Sequence, residues 1–184
     1  MRRQFATAAN GLTLLRIGLV PVFVVLMVAS GMTVTGYRIG AVVAFAVASV
    51  TDLVDGWLAR TMNQVTPFGQ VADPIADKAL TGTALVLLSV YHALPWWVTV
   101  VIMVRELGVT LLRFWVIRRG VIAASKGGKV KTVLQIVAIS WYICPFPSWL
   151  AAVGPWIMGA ALLVTVGTGV DYVIRAVRLH LRRS

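Results

Sequence analysis

TDLVDGWLARTMNQVTPFGQVADPIADKA, residues 51–79, holds four of the six acidic residues in a chain that is 59% hydrophobic. The other two are Glu106 and Asp171. At about 100° per residue, Asp52, Asp55, Gly56 and Ala59 fall in a helical stripe roughly 100° wide, with Arg60 at its border. Two carboxylates therefore share a face with two small residues. After an eight-residue link containing Pro67, Gly69, Asp73 and Asp77 recur at i, i+4 and i+8, again on one helical face. The short link lets the second face fold back against the first.

Four carboxylates gathered in this way need cationic company. Two unit charges about 4 Å apart repel by roughly 4 kcal/mol at an effective dielectric near 20. Arg60 and Lys78 are the nearest protein cations, and two cations against four anions leave the cluster negative. Oxygen-only donors without His or Cys favour a hard divalent ion such as Mg²⁺ or Mn²⁺, and four aspartates are enough for one or two of them. A salt-bridge network between helices is the structural alternative. Ionisable groups in membrane segments are costly, which favours the functional reading.

The spacing Asp52-x2-Asp55-Gly56-x2-Ala59-Arg60-x8-Gly69-x3-Asp73-x3-Asp77 resembles the signature of the CDP-alcohol phosphotransferases, integral membrane enzymes of phospholipid synthesis. The signature covers only residues 52–77, but its eight positions all match. Further stretches resemble the phosphatidylglycerophosphate synthases within that family: Asn10-Gly11-Leu12-Thr13-Leu14-Leu15-Arg16, Asp73-Pro74-Ile75-Ala76-Asp77-Lys78, Arg105-Glu106-Leu107 and Gly128-Lys129-Val130-Lys131-Thr132.

Around this stretch, 184 residues with a mean hydropathy of +0.88 are too apolar for a soluble domain. One compact membrane domain spanning residues 1–184 is expected, all-α, with six transmembrane helices and a short N-terminal juxtamembrane segment. The formal charge of +11 comes with only 12% charged residues, so it is assigned to orientation and anionic lipid contact, and nucleic acid is not expected as a partner. Cys144 is the lone cysteine, which rules out an intrachain disulfide and reads as a small core residue.

Membrane helices are expected over residues 12–30, 37–61, 73–90, 96–119, 130–144 and 149–178. The first apolar run is long and has no clear small-residue cleavage site, so it reads as a span rather than a signal peptide. Arg16, one turn inside it, can snorkel to the surface or face a polar site. Gly36 and Gly40 form a GxxxG pair. Pro74 is tolerable in the first turn of the third helix. The segment around Tyr91, His92, Trp96 and Trp97 has the residues of a membrane interface. Glu106 and Arg113, about 10 Å apart along the fourth helix, define one polar face. A cationic, glycine-rich loop with Arg118, Arg119, Lys126, Lys129 and Lys131 follows.

Cations at alternate helix ends set the orientation. Arg2, Arg3, Arg60, the loop after the fourth helix and the basic C-terminal tail fall on one side, whereas the opposite loops hold only Arg38. The positive-inside rule then places both termini in the cytoplasm, with the aspartates at the cytoplasmic face. The expected location is the cytoplasmic membrane of a prokaryote.

A diphosphate donor cannot approach four carboxylates unless divalent cations bridge them. The resemblance implies that this donor is CDP-diacylglycerol, its cytidine near Asp52, Gly56, Ala59 and Arg60. Asn10, Thr13, Asp55 and Gly69 complete the implied donor site, although Asn10 and Thr13 read equally well as helix-capping residues. It also implies that Asp52, Asp55, Asp73 and Asp77 bind two metal ions, with Asp77 the base for the attacking hydroxyl, and that the enzyme is a homodimer. The implied acceptor is sn-glycerol 3-phosphate, for whose phosphate Arg113, Arg118, Lys129, Lys131 and Arg175 are the candidates. The same cations read otherwise as topology signals. Competing functions are a cardiolipin synthase using phosphatidylglycerol, a synthase using inositol phosphate, a small ion transporter and a non-catalytic scaffold. A transporter's acids belong near the midplane, whereas these gather at one end of their helices.

Overall fold

The structure is a computed structural model that describes residues 8–61, 67–117 and 126–181, with the backbone alone described at 8–10, 12–13, 52–61, 67–74, 113–117, 126–127, 129 and 179–181. Among the described residues every regular element is helical: α1 Ala8–Ser30, α2 Thr35–Thr61, α3 Pro67–Val90, α4 Trp96–Ile117, α5 Lys126–Ile143, α6 Ser148–Ala151 and α7 Gly154–Leu181. The chain divides into two compact units, residues 1–93 with 142–146, and residues 94–141 with 147–184.

In the first unit, α1 packs on α2 and α3, and α2 on α3. Buried Ala41, Ala44 and Ala48 form one stripe of α2, where small side chains let helix backbones approach closely. Phe23 of α1 meets Phe45 of α2 with ring centroids 5.6 Å apart, a tilted arrangement suited to the ring quadrupoles. Leu26 of α1 lies against Gly40, where an added Cβ would stand 3.5 Å from both Leu26 methyls, whereas Gly36 faces open space. Only one glycine of the GxxxG pair is therefore a contact point. Ala76, Leu80, Ala84 and Leu88 recur every four residues on the buried face of α3.

Two ends in this unit carry their own geometry. Gly31 and Met32 adopt φ 50° and 59°, and the hydroxyl of Ser30 accepts from the Met32 N–H at 3.1 Å, which turns the chain from α1 into α2. At the end of α3, His92 has φ 57°; its N–H donates to the Ser89 carbonyl and the Ala93 N–H to the Leu88 carbonyl. That pair of bonds is a Schellman cap with histidine in the left-handed position that glycine usually fills. His92, expected as an interfacial residue, thus terminates the helix.

Arg38, near the start of α2, sends its guanidinium to the end of α5. Nε donates to the Ile143 carbonyl at 2.9 Å, Nη2 to those of Tyr142 and Cys144 at 3.2 and 3.0 Å, and Nη1 to Met32 at 3.3 Å. A cation is disfavoured at the N-terminus of its own helix and favoured at the C-terminus of another, and the side chain bridges the two.

In the second unit, α4 packs on α7, with Val98, Ile102, Ala138, Ile139, Met158 and Ala161 buried. The expected sixth helix is broken. A four-residue α6 ends at Ala151 and α7 begins at Gly154, because Pro155 has no N–H for the Ala151 carbonyl. The Val153 carbonyl accepts from Trp156 and Ile157 to start α7.

Helix starts also differ from expectation. α3 begins at Pro67, which places Pro67 at the first helical position and Pro74 in the interior rather than the first turn. α5 begins at Lys126, so Lys126–Lys131 belong to a helix rather than a loop. Arg16 is fully buried instead of snorkelling.

The surface is apolar. Val25, Val104, Leu111, Leu163 and Trp156 are between 64% and 81% exposed, while alanines fill much of the interior. An apolar exterior over a small-residue core is a pattern that membrane proteins share. Among the described residues one stretch, Ser148–Arg178, is by itself long and apolar enough to cross a membrane, with mean hydropathy 1.8. Leu14–Ser30, Thr35–Thr51 and Val130–Ile143 are shorter apolar helical stretches among the described residues.

Candidate active site

The aspartates lie on two helices of the first unit. Asp52 and Asp55 fall in the last three turns of α2, and Asp73 and Asp77 in the first half of α3. With both segments helical, each pair shares one face of its own helix, about 60° apart for the first pair and about 40° for the second. Just before Asp52, Thr51 is buried and its hydroxyl donates to the Val47 carbonyl at 2.6 Å. Asp77 and Lys78 are half-buried beside the fully packed Ala76 and Leu80.

The side chains of Asn10, Thr13, Asp52, Asp55, Ala59, Arg60 and Asp73, and the surroundings of Gly56 and Gly69, lie outside the described residues. Among the described residues there is no group of three or more His, Cys, Asp or Glu fit to hold a metal; of the four aspartates that description takes in Asp77 alone. The donor set itself fits a divalent ion: four carboxylates offer only hard oxygens, the ligands that Mg²⁺ and Mn²⁺ take.

The second unit contains a charged network across α4, α5 and α7. Glu106 of α4 accepts from Lys131 Nζ at 2.6 Å and from Arg105 Nη1 at 3.1 Å, both on Oε1. The three side chains are between 10% and 15% exposed. Arg105 in turn donates through Nε to the Thr165 carbonyl at 2.9 Å and through Nη2 to the Thr168 hydroxyl at 2.7 Å. Gln135 of α5 donates to the Thr165 hydroxyl at 3.1 Å. Charges this enclosed persist only when paired and hydrogen-bonded, and here each has a named partner.

Of the acceptor candidates, Lys131 stands in this network, buried and held by Glu106. Arg175 is elsewhere: exposed, on α7, one turn from Asp171 and paired with it at 3.0 Å. The side chains of Arg113 and Lys129 and the whole of Arg118 lie outside the described residues. Gln135, Thr165, Thr168 and Gly169 were not singled out from the sequence. Their signal was present as polar and small residues inside apolar runs, which in membrane helices mark interhelical contacts.

Comparison with known proteins agrees with these features. The family model described as CDP-alcohol phosphatidyltransferase matches residues 6–167. A protein of Mycobacterium tuberculosis (strain H37Rv) named "Probable phosphatidylglycerophosphate synthase" is 52% identical over 177 residues, 96% of this chain and 85% of the relative. Proteins named CDP-diacylglycerol--glycerol-3-phosphate 3-phosphatidyltransferase are 38% identical in Escherichia coli (strain K12), over 90% of this chain and 92% of the relative, and 36% identical in Bacillus subtilis (strain 168), over 89% and 91%. With an unbroken eight-position aspartate spacing on adjoining helices and a match through both units, this chain belongs to the CDP-alcohol phosphatidyltransferase family.

Proposed function

We propose that this chain transfers the phosphatidyl group of CDP-diacylglycerol to sn-glycerol 3-phosphate, giving phosphatidylglycerophosphate and CMP. The observation that carries the reading is the complete Asp52–Asp77 signature, borne on α2 and α3, in a chain whose relatives are named for this reaction. A hydroxyl of the acceptor attacks the phosphorus bearing the lipid, its proton passes to Asp77, and the bond to CMP breaks. Asp52, Asp55, Asp73 and Asp77 hold two divalent ions, Mg²⁺ or Mn²⁺. When bound, these neutralise the diphosphate and polarise the phosphorus. Gly56 and Ala59 leave room for the nucleotide beside α2, with Asn10, Thr13, Arg60 and Gly69 around it. Arg113, Arg118, Lys129, Lys131 and Arg175 draw the acceptor phosphate.

Residues 1–184 act as one catalytic domain, since the family match runs through both compact units. The six long helices, α1–α5 and α7, contain 18 to 28 residues. At 1.5 Å per residue these are about 27–42 Å long, against a hydrocarbon core of about 30 Å. They form six spans with both termini in the cytoplasm of a bacterial inner membrane, the active site on the cytoplasmic side, in a homodimer.

The test is CMP release by purified protein in detergent, with sn-glycerol 3-phosphate, inositol phosphate, phosphatidylglycerol or no acceptor. Release is expected only with glycerol phosphate and only with Mg²⁺ or Mn²⁺, and chelation abolishes it. Turnover with phosphatidylglycerol alone would make the chain a cardiolipin synthase. In the same assay Asp77→Asn lowers kcat by about a hundredfold or more, the usual scale of a general base; near-normal turnover would remove Asp77 from that role.

A further inference from the structure

We propose that Gly169, Arg105 and Glu106 form a positioning unit that sets where the Lys131 ammonium stands, so that the Thr165–Gly169 stretch of α7 tunes affinity for the phosphorylated acceptor without touching it. The inference rests on the placement of Lys131 in the acceptor site.

Lysine is a point charge on a flexible four-carbon stem, and its position must come from what it is bonded to. Here the bonding runs in series within one compact unit. The α7 backbone and hydroxyl at Thr165 and Thr168 grip Arg105 at 2.9 and 2.7 Å; Arg105 grips Glu106 Oε1 at 3.1 Å; the same oxygen holds Lys131 at 2.6 Å. Lys131 brings to this series the positive charge that an incoming phosphate requires.

Gly169 is what lets Arg105 lie along α7. A Cβ there would stand 3.0 Å from Arg105 Cγ and 3.2 Å from Nε. The side chain would have to yield by a few tenths of an ångström. Its acceptors lie on the same helix, one and four residues before Gly169, so yielding strains those bonds and passes the displacement to Glu106 and Lys131. Gln135 ties α5 to α7 independently through the Thr165 hydroxyl. The helices therefore stay docked while the charge series shifts, and binding of the acceptor rather than the fold takes the effect.

The experiment measures KM and kcat for both substrates, and the unfolding midpoint in detergent, for Gly169→Ala, Thr168→Val, Glu106→Gln and Lys131→Gln. Thr168→Val removes the hydroxyl that receives Arg105 without adding volume, and covers the case in which Gly169→Ala fails to fold. Gly169→Ala and Thr168→Val are expected to raise KM for sn-glycerol 3-phosphate about three- to tenfold, with KM for CDP-diacylglycerol and kcat within about twofold, as for a sub-ångström misplacement of a binding group. Glu106→Gln and Lys131→Gln shift the same parameter further. If Lys131→Gln raises that KM while Gly169→Ala and Thr168→Val leave it unchanged, the positioning unit is overturned and the acceptor site stands. If Lys131→Gln itself leaves it unchanged, the acceptor placement of Lys131 fails and the inference with it. A joint loss in both substrates together with a lowered midpoint would make the series structural only and overturn the inference.

Discussion

At the residue scale, His92 shows a local cost accepted to end a helix. A non-glycine residue in the left-handed region is disfavoured by about 1–2 kcal/mol, while glycine gives back about 0.5–1 kcal/mol through its looser unfolded chain. The Schellman bonds at His92 and Ala93 use backbone only, so His92→Gly keeps them. It is expected to stabilise the protein by about 0.5–1 kcal/mol, raising the unfolding midpoint by about 1–3 °C. His92→Val is expected to lower it, since a branched Cβ is worst in that conformation. A midpoint that falls with glycine would show that the imidazole, and not the backbone cap, holds this turn. The sequence around His92 reads as a membrane interface because its neighbours are Tyr91, Trp96 and Trp97. Nothing in those neighbours announces a positive φ, since the usual signal, glycine, is absent.

At the element scale, helix ends are where sequence and structure part. The aspartates on α2 and α3 were legible because carboxylates at i, i+3 and i, i+4 in an apolar chain have few structural explanations. The start of α3 was not: Pro67 reads as linker yet serves equally well as a first helical residue. Lys126, Gly127 and Gly128 read as loop because two glycines disfavour a helix, yet α5 includes them and carries Lys131 to Glu106. Tertiary pairing outweighs local propensity there. The broken sixth helix was readable from Gly154-Pro155, but the apolar run masks it. Arg38 belongs to this scale too, because it closes α5. Arg38→Met keeps the side-chain bulk and leaves the Tyr142 and Ile143 carbonyls without their guanidinium donor. Hydrogen bonds from a charged donor are worth about 1.5–3 kcal/mol each, so a net loss of about 2–4 kcal/mol is expected as a lowered unfolding midpoint. Arg38→Lys should recover less than half of it, because an ammonium cannot span three carbonyls as a planar fork does. An unchanged midpoint in Arg38→Met would remove Arg38 from the role of clamp.

At the scale of the whole molecule, the Arg38 clamp bears on orientation. The positive-inside rule counts the Lys and Arg that flank membrane helices, whatever they bond in the folded protein. Arg38 is the one cation on the side opposite the basic termini and loops, and its guanidinium is bonded to four backbone carbonyls. It is a single cation against the proposed orientation, outnumbered by those at the basic termini and loops. The expected outcome can be read from single cysteines in a Cys144→Ser background, which removes the only native thiol. Thr33→Cys and Ser148→Cys, at exposed turns before α2 and at the start of α6, should react with a membrane-impermeant maleimide in intact cells. Ser125→Cys and Ser184→Cys should react only after the membrane is opened. The reverse pattern would invert the protein and place the aspartates away from the cytoplasmic nucleotide and glycerol phosphate. Labelling of Thr33→Cys and Ser148→Cys from opposite sides would break the six-span count instead, since four crossings, by α2, α3, α4 and α5, return the chain to the side it left.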